Sequence, residues 1–199
     1  MALWENHSKP IDGWNVSWES HGPYRLWCKQ EHPANEKTAA VVMLNPGSLS
    51  GNGSNLSRDT TLRVLRELFG NSGYNPFVVN LFNLATPKPE VLFDQWPLRD
   101  DAEFDYSSLP VRDFSAVLYA YGSYEHHATY SDEVLTRIDQ IKSLLSGIPE
   151  IVVPKASNGT PKHPMRIQIE KLKDVFRDAI SKHAAANNSF KPTPLRGAA

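Results

Sequence analysis

The stretch Thr38-Ala-Ala-Val-Val-Met-Leu44 runs directly into Asn45-Pro46-Gly47-Ser48, and this junction decides the fold. Seven uncharged, mostly apolar residues in a row fit a strand covered on both faces, where no side needs to be polar. Proline cannot continue a hydrogen-bonded ladder and glycine permits unusual backbone angles, so the strand stops at Asn45-Pro46-Gly47. Working outward, Pro76-Phe-Val-Val-Asn-Leu-Phe82 reads as a second buried strand, and Phe114-Ser-Ala-Val-Leu-Tyr-Ala-Tyr121 as a third that ends at Gly122. Ile151-Val-Val-Pro154 reads as a short fourth.

Helices fill the intervals. Leu62, Leu65, Leu68 and Phe69 recur at helical spacing behind Asp59, a good N-cap residue. Val134, Leu135, Ile138, Ile141, Leu144 and Leu145 mark the apolar side of a helix over 131–146, and a last helix is expected from Met165 to Ala186. Alternating strands and helices predict an α/β protein, a three-layer α/β/α arrangement around a mostly parallel, four-stranded central sheet. The Pro- and acid-rich segment between Ala85 and Pro110 is expected to be a long excursion. Residues 1–37, with Trp4, Trp14, Trp18 and Trp27 among polar neighbours and Tyr24-Arg-Leu-Trp-Cys28 readable as a short strand, are expected to wrap a domain spanning 38–186, and 187–199 to form a mobile tail.

Composition narrows the function. With 199 residues, 40% apolar and 22% charged, the chain can bury a core and is too mixed for a disordered chain. No apolar run approaches the roughly 18 residues of a membrane span, and Met-Ala-Leu-Trp-Glu-Asn-His lacks the layout of a signal peptide, so a cytoplasmic protein without a membrane partner is expected. A single cysteine, Cys28, excludes an internal disulfide and any metal site built on several thiolates. No cofactor or metal is implied; the adjacent His126 and His127 have no carboxylate at a telling spacing. The formal charge of −1 hides an asymmetry: residues 86–150 carry five basic and twelve acidic side chains, and 151–199 nine and three. Phosphate would be attracted to the C-terminal part.

In an open parallel sheet, ligands bind where loops leave the carboxyl ends of the strands. Those loops carry Asn45-Pro46-Gly47-Ser48, Asn80-Leu81-Phe82-Asn83, Tyr121-Gly122-Ser123, and Gly159-Thr-Pro-Lys-His-Pro164. An Asn before Pro is usually a turn former, a lone His a core residue, and Asp59 a helix cap. Four such loops at consecutive strand ends carry more weight than any one.

The segment Val42-Met-Leu-Asn-Pro-Gly-Ser-Leu-Ser-Gly51 resembles the first motif of the mismatch-specific uracil/thymine branch of the uracil-DNA glycosylase superfamily. Asn80 and His163-Pro164 then resemble that superfamily's base-reading Asn and its His-Pro loop. The chain also resembles an uncharacterised bacterial and phage family marked by Leu-Asn-Pro-Ser, Asp-x-Thr, Asn-Leu-Phe and His-Pro, over roughly residues 24–168. It lacks the Asp-Pro-Tyr-His form of the first motif, so Asn45 stands where that form has a water-activating Asp, and it has Met165-Arg166 after the His-Pro pair where the uracil-specific enzymes continue with Ser-Pro.

The resemblance implies a glycosylase-like fold and hydrolysis of the N-glycosidic bond of a flipped, modified or mismatched pyrimidine. Asn45 would position water, His163 would stabilise charge on the base, and Asp59 would supply the missing base catalyst. Asn80, Gly47 and Ser48 would contact the base, with Phe82 and Tyr121 placed at strand ends as rings for stacking, although both also suit the core, the favoured reading for Phe82. Lys155, Lys162, Met165, Arg166 and Lys171 would meet DNA, either a duplex with an extruded base or a single strand. The terminal Lys-Pro-Thr-Pro-Leu-Arg-Gly-Ala-Ala resembles read-through of a cassette recombination site, which adds anti-phage defence to DNA repair as a role. Two other readings stand beside this one: a non-catalytic nucleotide or nucleic-acid binding module, and an enzyme acting on free nucleosides. The oligomeric state is not legible.

Overall fold

The computed structural model describes residues 4–47, 56–98, 106, 109–163 and 170–188. Its centre is a six-stranded mixed sheet in the order β1-β2-β3-β5-β4-β6. The expectation of a mostly parallel four-stranded sheet is therefore corrected. Strands β4 (Lys37–Met43), β5 (Tyr74–Asn80) and β6 (Phe114–Tyr119) are parallel neighbours as their apolar runs predict. Ahead of them, β1 (Glu5–Ile11), β2 (Trp14–His21) and β3 (Tyr24–Glu31) form an antiparallel meander, and β3 pairs antiparallel with β5.

The meander arises from local chemistry. Asp12 and Gly13 both have left-handed backbones, φ 50° and 81°, the combination that a two-residue hairpin turn needs to follow strand twist. Trp14, Val16 and Trp18 are buried at period two, with Asn15 facing solvent between them. The predicted fourth strand fails for an equally local reason. Ile151 donates one backbone hydrogen bond to Val117 O at 2.8 Å, but Pro154 has no N–H and Val152 is 76% exposed, so the segment yields a single parallel bridge.

Helices cover both faces. On one lie α1 (Thr60–Phe69) and α4 (Glu170–Asn188), where Leu62, Leu65, Phe69, Phe176 and Ile180 pack onto Val16, Cys28, Val41 and Val78. On the other, α2 (Pro89–Gln95) and α3 (Ser131–Leu144) bring Phe93, Val134, Ile138 and Ile141 against Val42, Val79 and Val117. Each fully buried Leu or Phe contributes about 1.5–3 kcal/mol relative to exposure, and β5 is buried along its whole length. No described helix is long and apolar enough to cross a membrane.

Candidate active site

Because β4, β5 and β6 run in parallel, their carboxyl ends open on the same edge of the sheet, and a cleft of about 870 Å³ lies there. That volume falls within the range of small-molecule sites. Asn45, Gly47, Asp59, Asn80, Lys162 and His163 all line it. Phe82 does not: it is fully buried, edge-on to Trp96 at 4.7 Å, with the Arg137 guanidinium 4.6 Å from its ring centre. Tyr121, 3% exposed, faces a second, smaller cavity that it shares with Tyr119 and Lys155. Burial, reinforced by the charge of Glu125, pushes its phenol well above the usual range. Ser48, Met165 and Arg166 lie outside the described residues. Lys171 belongs to α4, but its side chain lies outside the described parts.

The orientation of Asn45 is set by its neighbours. The side-chain nitrogen faces Pro46 O at 2.8 Å, Thr86 Oγ1 at 2.9 Å, and the carbonyls of Leu84 and Thr86 at 3.4 Å. Carbonyl oxygens only accept, so they select the amide nitrogen and leave Oδ1 with no partner among the described residues. Thr86 completes the stitch by donating from its backbone nitrogen to Pro46 O and from Oγ1 to Lys88 O.

Asp59 does two things. Its Oδ1 accepts from Leu62 N at 3.0 Å, capping α1. Its Oδ2 points towards Gly47, where an added Cβ would stand 3.4 Å from it, and has no hydrogen-bond partner among the described residues. Glycine at 47 thus keeps the approach to this carboxylate open.

Asn80, the last residue of β5, is 1% exposed, yet neither polar atom of its side chain has a partner among the described residues. Its backbone carbonyl is held by the Tyr106 hydroxyl at 2.6 Å. A buried amide left unpaired costs free energy, and native proteins keep few such groups. On the far wall, Gly122 has φ +84°, and a Cβ there would meet the Tyr124 ring at 3.3 Å and His163 Cβ at 3.8 Å. Only glycine combines that backbone with a close approach to the His163 loop.

Further lining residues escaped the sequence reading, among them Arg25, Arg58, Thr86, Lys88 and Glu90. Arg58 and Lys88 are exposed and, with Lys162, outnumber the exposed Glu90, which leaves the mouth basic on balance. Arg25 is 5% exposed, and its Nε and Nη1 are buried without partners among the described residues. It reaches the cleft because β3 runs antiparallel to β5, so the beginning of β3 meets the end of β5, and Arg25 N donates to Asn83 O at 2.9 Å. A bulge helps to aim it. Ser20 pairs with Arg25 and Glu19 with Trp27, which makes Leu26 an extra residue and puts Tyr24 and Trp27 on the same face, three positions apart.

Other candidates are accounted for. His127 Nδ1 accepts from Thr129 N and Tyr130 N, and its ring lies 4.4 Å from that of Phe93; His126 is exposed. No group of three or more His, Cys, Asp or Glu among the described residues is placed to hold a metal. Burial pushes the Cys28 thiol up to about 11, and a thiol held protonated is a poor nucleophile.

No curated protein and no solved structure matches the chain. One family does match, over residues 24–165, a span that runs from the start of β3 to just past His163 and so takes in every described cleft residue. The chain belongs to this family, described as a protein of unknown function (DUF1643).

Proposed function

We propose that the protein is a DNA glycosylase that hydrolyses the N-glycosidic bond of a flipped pyrimidine, modified or mismatched, in DNA repair or anti-phage defence. The observation that carries this reading is the Asn80 side chain, a buried donor and acceptor side by side at the floor of the cleft with nothing described to bond to. A pyrimidine edge presents donors and acceptors that one amide can pair with. The basic mouth suits the phosphates flanking an extruded nucleotide.

The chemistry follows from the groups around that floor. Water attacks C1′ of the sugar while the C1′–N bond breaks and its electron pair leaves with the base. Oδ1 of Asn45, without a partner among the described residues, accepts a hydrogen bond from the water, and Asp59 Oδ2 takes its proton. Asn80 and His163 hydrogen-bond the base as negative charge builds on it. The departed base then picks up a proton from solvent.

The test is incubation with single- and double-stranded oligonucleotides carrying uracil, a thymine mismatch or glucosylated hydroxymethylcytosine, followed by alkali, which breaks the strand at abasic sites. Strand breaks that disappear in Asp59→Asn and Asn80→Ala support the reading. DNA binding without breaks on any substrate would instead favour a non-catalytic binding module, the reading consistent with Asn rather than Asp at position 45.

A further inference from the structure

We propose that Arg25 is an oxyanion-binding residue on the floor of the cleft, so that the group a ligand carries deepest is negatively charged. The charge has two possible sources, a phosphate or the oxygen of a departing base, and the second rests on the glycosidic reading above.

Three described arginines are 5% exposed, and two of them have visible partners. Arg66 donates to Gln30 Oε1 at 2.8 Å and Asp12 Oδ2 at 3.0 Å. Arg137 donates to Leu81 O at 3.0 Å, lies 3.5 Å from Glu133, and stacks over Phe82 and Trp96. Arg25 is in none of the ion pairs among the described residues, and its guanidinium makes no hydrogen bond among them. Among the described residues the other two buried arginines are thus paired, Arg137 through its Nη atoms although its Nε has no partner there, and Arg25, which lines the cleft, is the exception.

A guanidinium is permanently charged, and burying it unpaired is far costlier than burying a neutral donor. A neutral carbonyl could be met by a hydroxyl or an amide without that cost. The charge is therefore fitted to a charged acceptor, which restores the pairing when it binds. The backbone agrees with this role: the bulge at Leu26 gives Arg25 the face opposite Tyr24 and Trp27, and β-bulges recur beside sites where a side chain must be aimed.

The experiment is calorimetric titration of the full chain with two pairs of probes. Thymidine 5′-monophosphate against thymidine tests the phosphate source. The acidic analogue 5-nitrouracil against uracil tests the base. At least one charged probe is expected to bind about tenfold or more tightly than its neutral counterpart, and the pair that does so names the source. Arg25→Gln should abolish that preference, Arg25→Lys should retain part of it, and Arg25→Gln should melt no lower than wild type. Equal binding of charged and neutral probes by wild type would overturn the proposal, as would a preference that survives in Arg25→Gln. A Tm for Arg25→Gln far below wild type would mark Arg25 as structural and overturn it too. No bond is broken in these titrations, so failure to release a base would refute the glycosylase reading and leave this result standing.

Discussion

Replacing Asn80 by Leu should make the free protein more stable while destroying its function. The side chain is 1% exposed and both its polar atoms are unpartnered among the described residues. Each such atom costs about 1–3 kcal/mol when desolvated and unpaired, so even the low end gives about 2 kcal/mol for the pair. Leucine is somewhat larger than asparagine, and the adjoining cleft of about 870 Å³ leaves room for it. A chain of this size shifts its Tm by about 2–4 °C per kcal/mol, which predicts a rise of about 4–8 °C. Thermal unfolding followed by circular dichroism, with urea titration as a second measure, reads the shift. Strand cleavage in the alkali assay should fall below detection in the same variant. A Tm below that of wild type would show that the Asn80 amide is satisfied within the fold, and the argument from an unpaired amide would fail. Stability bought at the expense of activity is the signature of a group retained for its ligand.

Other expectations follow from neighbouring features. Asn45→Asp should destabilise the protein by about 1–3 kcal/mol, because it sets an acceptor against three carbonyl oxygens; urea unfolding measures the loss. Glu67 receives a hydrogen bond from Lys173 Nζ at 2.8 Å, which with the charges of Lys173, Arg63 and Arg177 holds its carboxyl below the usual value of 4.5. A depressed carboxyl gives stability that is present above pH 4.5 and fades as pH falls through the folded value, so Glu67→Gln should cost about 0.5–1 kcal/mol at pH 7 and little at low pH. His183 is held below its usual 6.5 by burial and then by Lys37, while its Nδ1 lies 3.0 Å from the Tyr74 hydroxyl. Unfolding lets it take up a proton, so wild type should lose stability as pH drops below 6.5, and His183→Gln should flatten that part of the Tm profile.

The three parallel strands were legible because β4, β5 and β6 are sheathed by helices on both faces and can be apolar throughout. Most of the meander was not: β1 is exposed along most of its length, and the Ser, Asn, His and Glu residues of β1 and β2 read as loop, so that only Tyr24–Cys28, the first part of β3, read as a strand. A usable signal was present in Asp12-Gly13, flanked by Ile11 and by the period-two burial of Trp14, Val16 and Trp18. The run at 151–154 misled because an apolar composition does not supply a ladder partner: only Ile151 is buried, Val152 is exposed, and a single bridge forms. The cleft residues at the ends of parallel strands, Asn45 and Asn80, could be located from topology with no coordinates. Arg25 could not, because reaching it requires knowing that an antiparallel neighbour delivers its opening residue to the same edge. The one hint was a charged residue between Tyr24 and Leu26 in an otherwise apolar stretch.

The extra residue in β3 has an evolutionary corollary. Side-chain parity in a strand reverses whenever one position is inserted or deleted, and an unbuffered change would swap what faces the ligand with what faces the opposite helices. Leu26 absorbs that reversal: removing it leaves Arg25 opposite Ser20 and Trp27 opposite Glu19, both on their present sides. Family members whose third strand is one residue shorter can therefore keep the same cation in the same place, so gaps in an alignment here need not signal altered specificity.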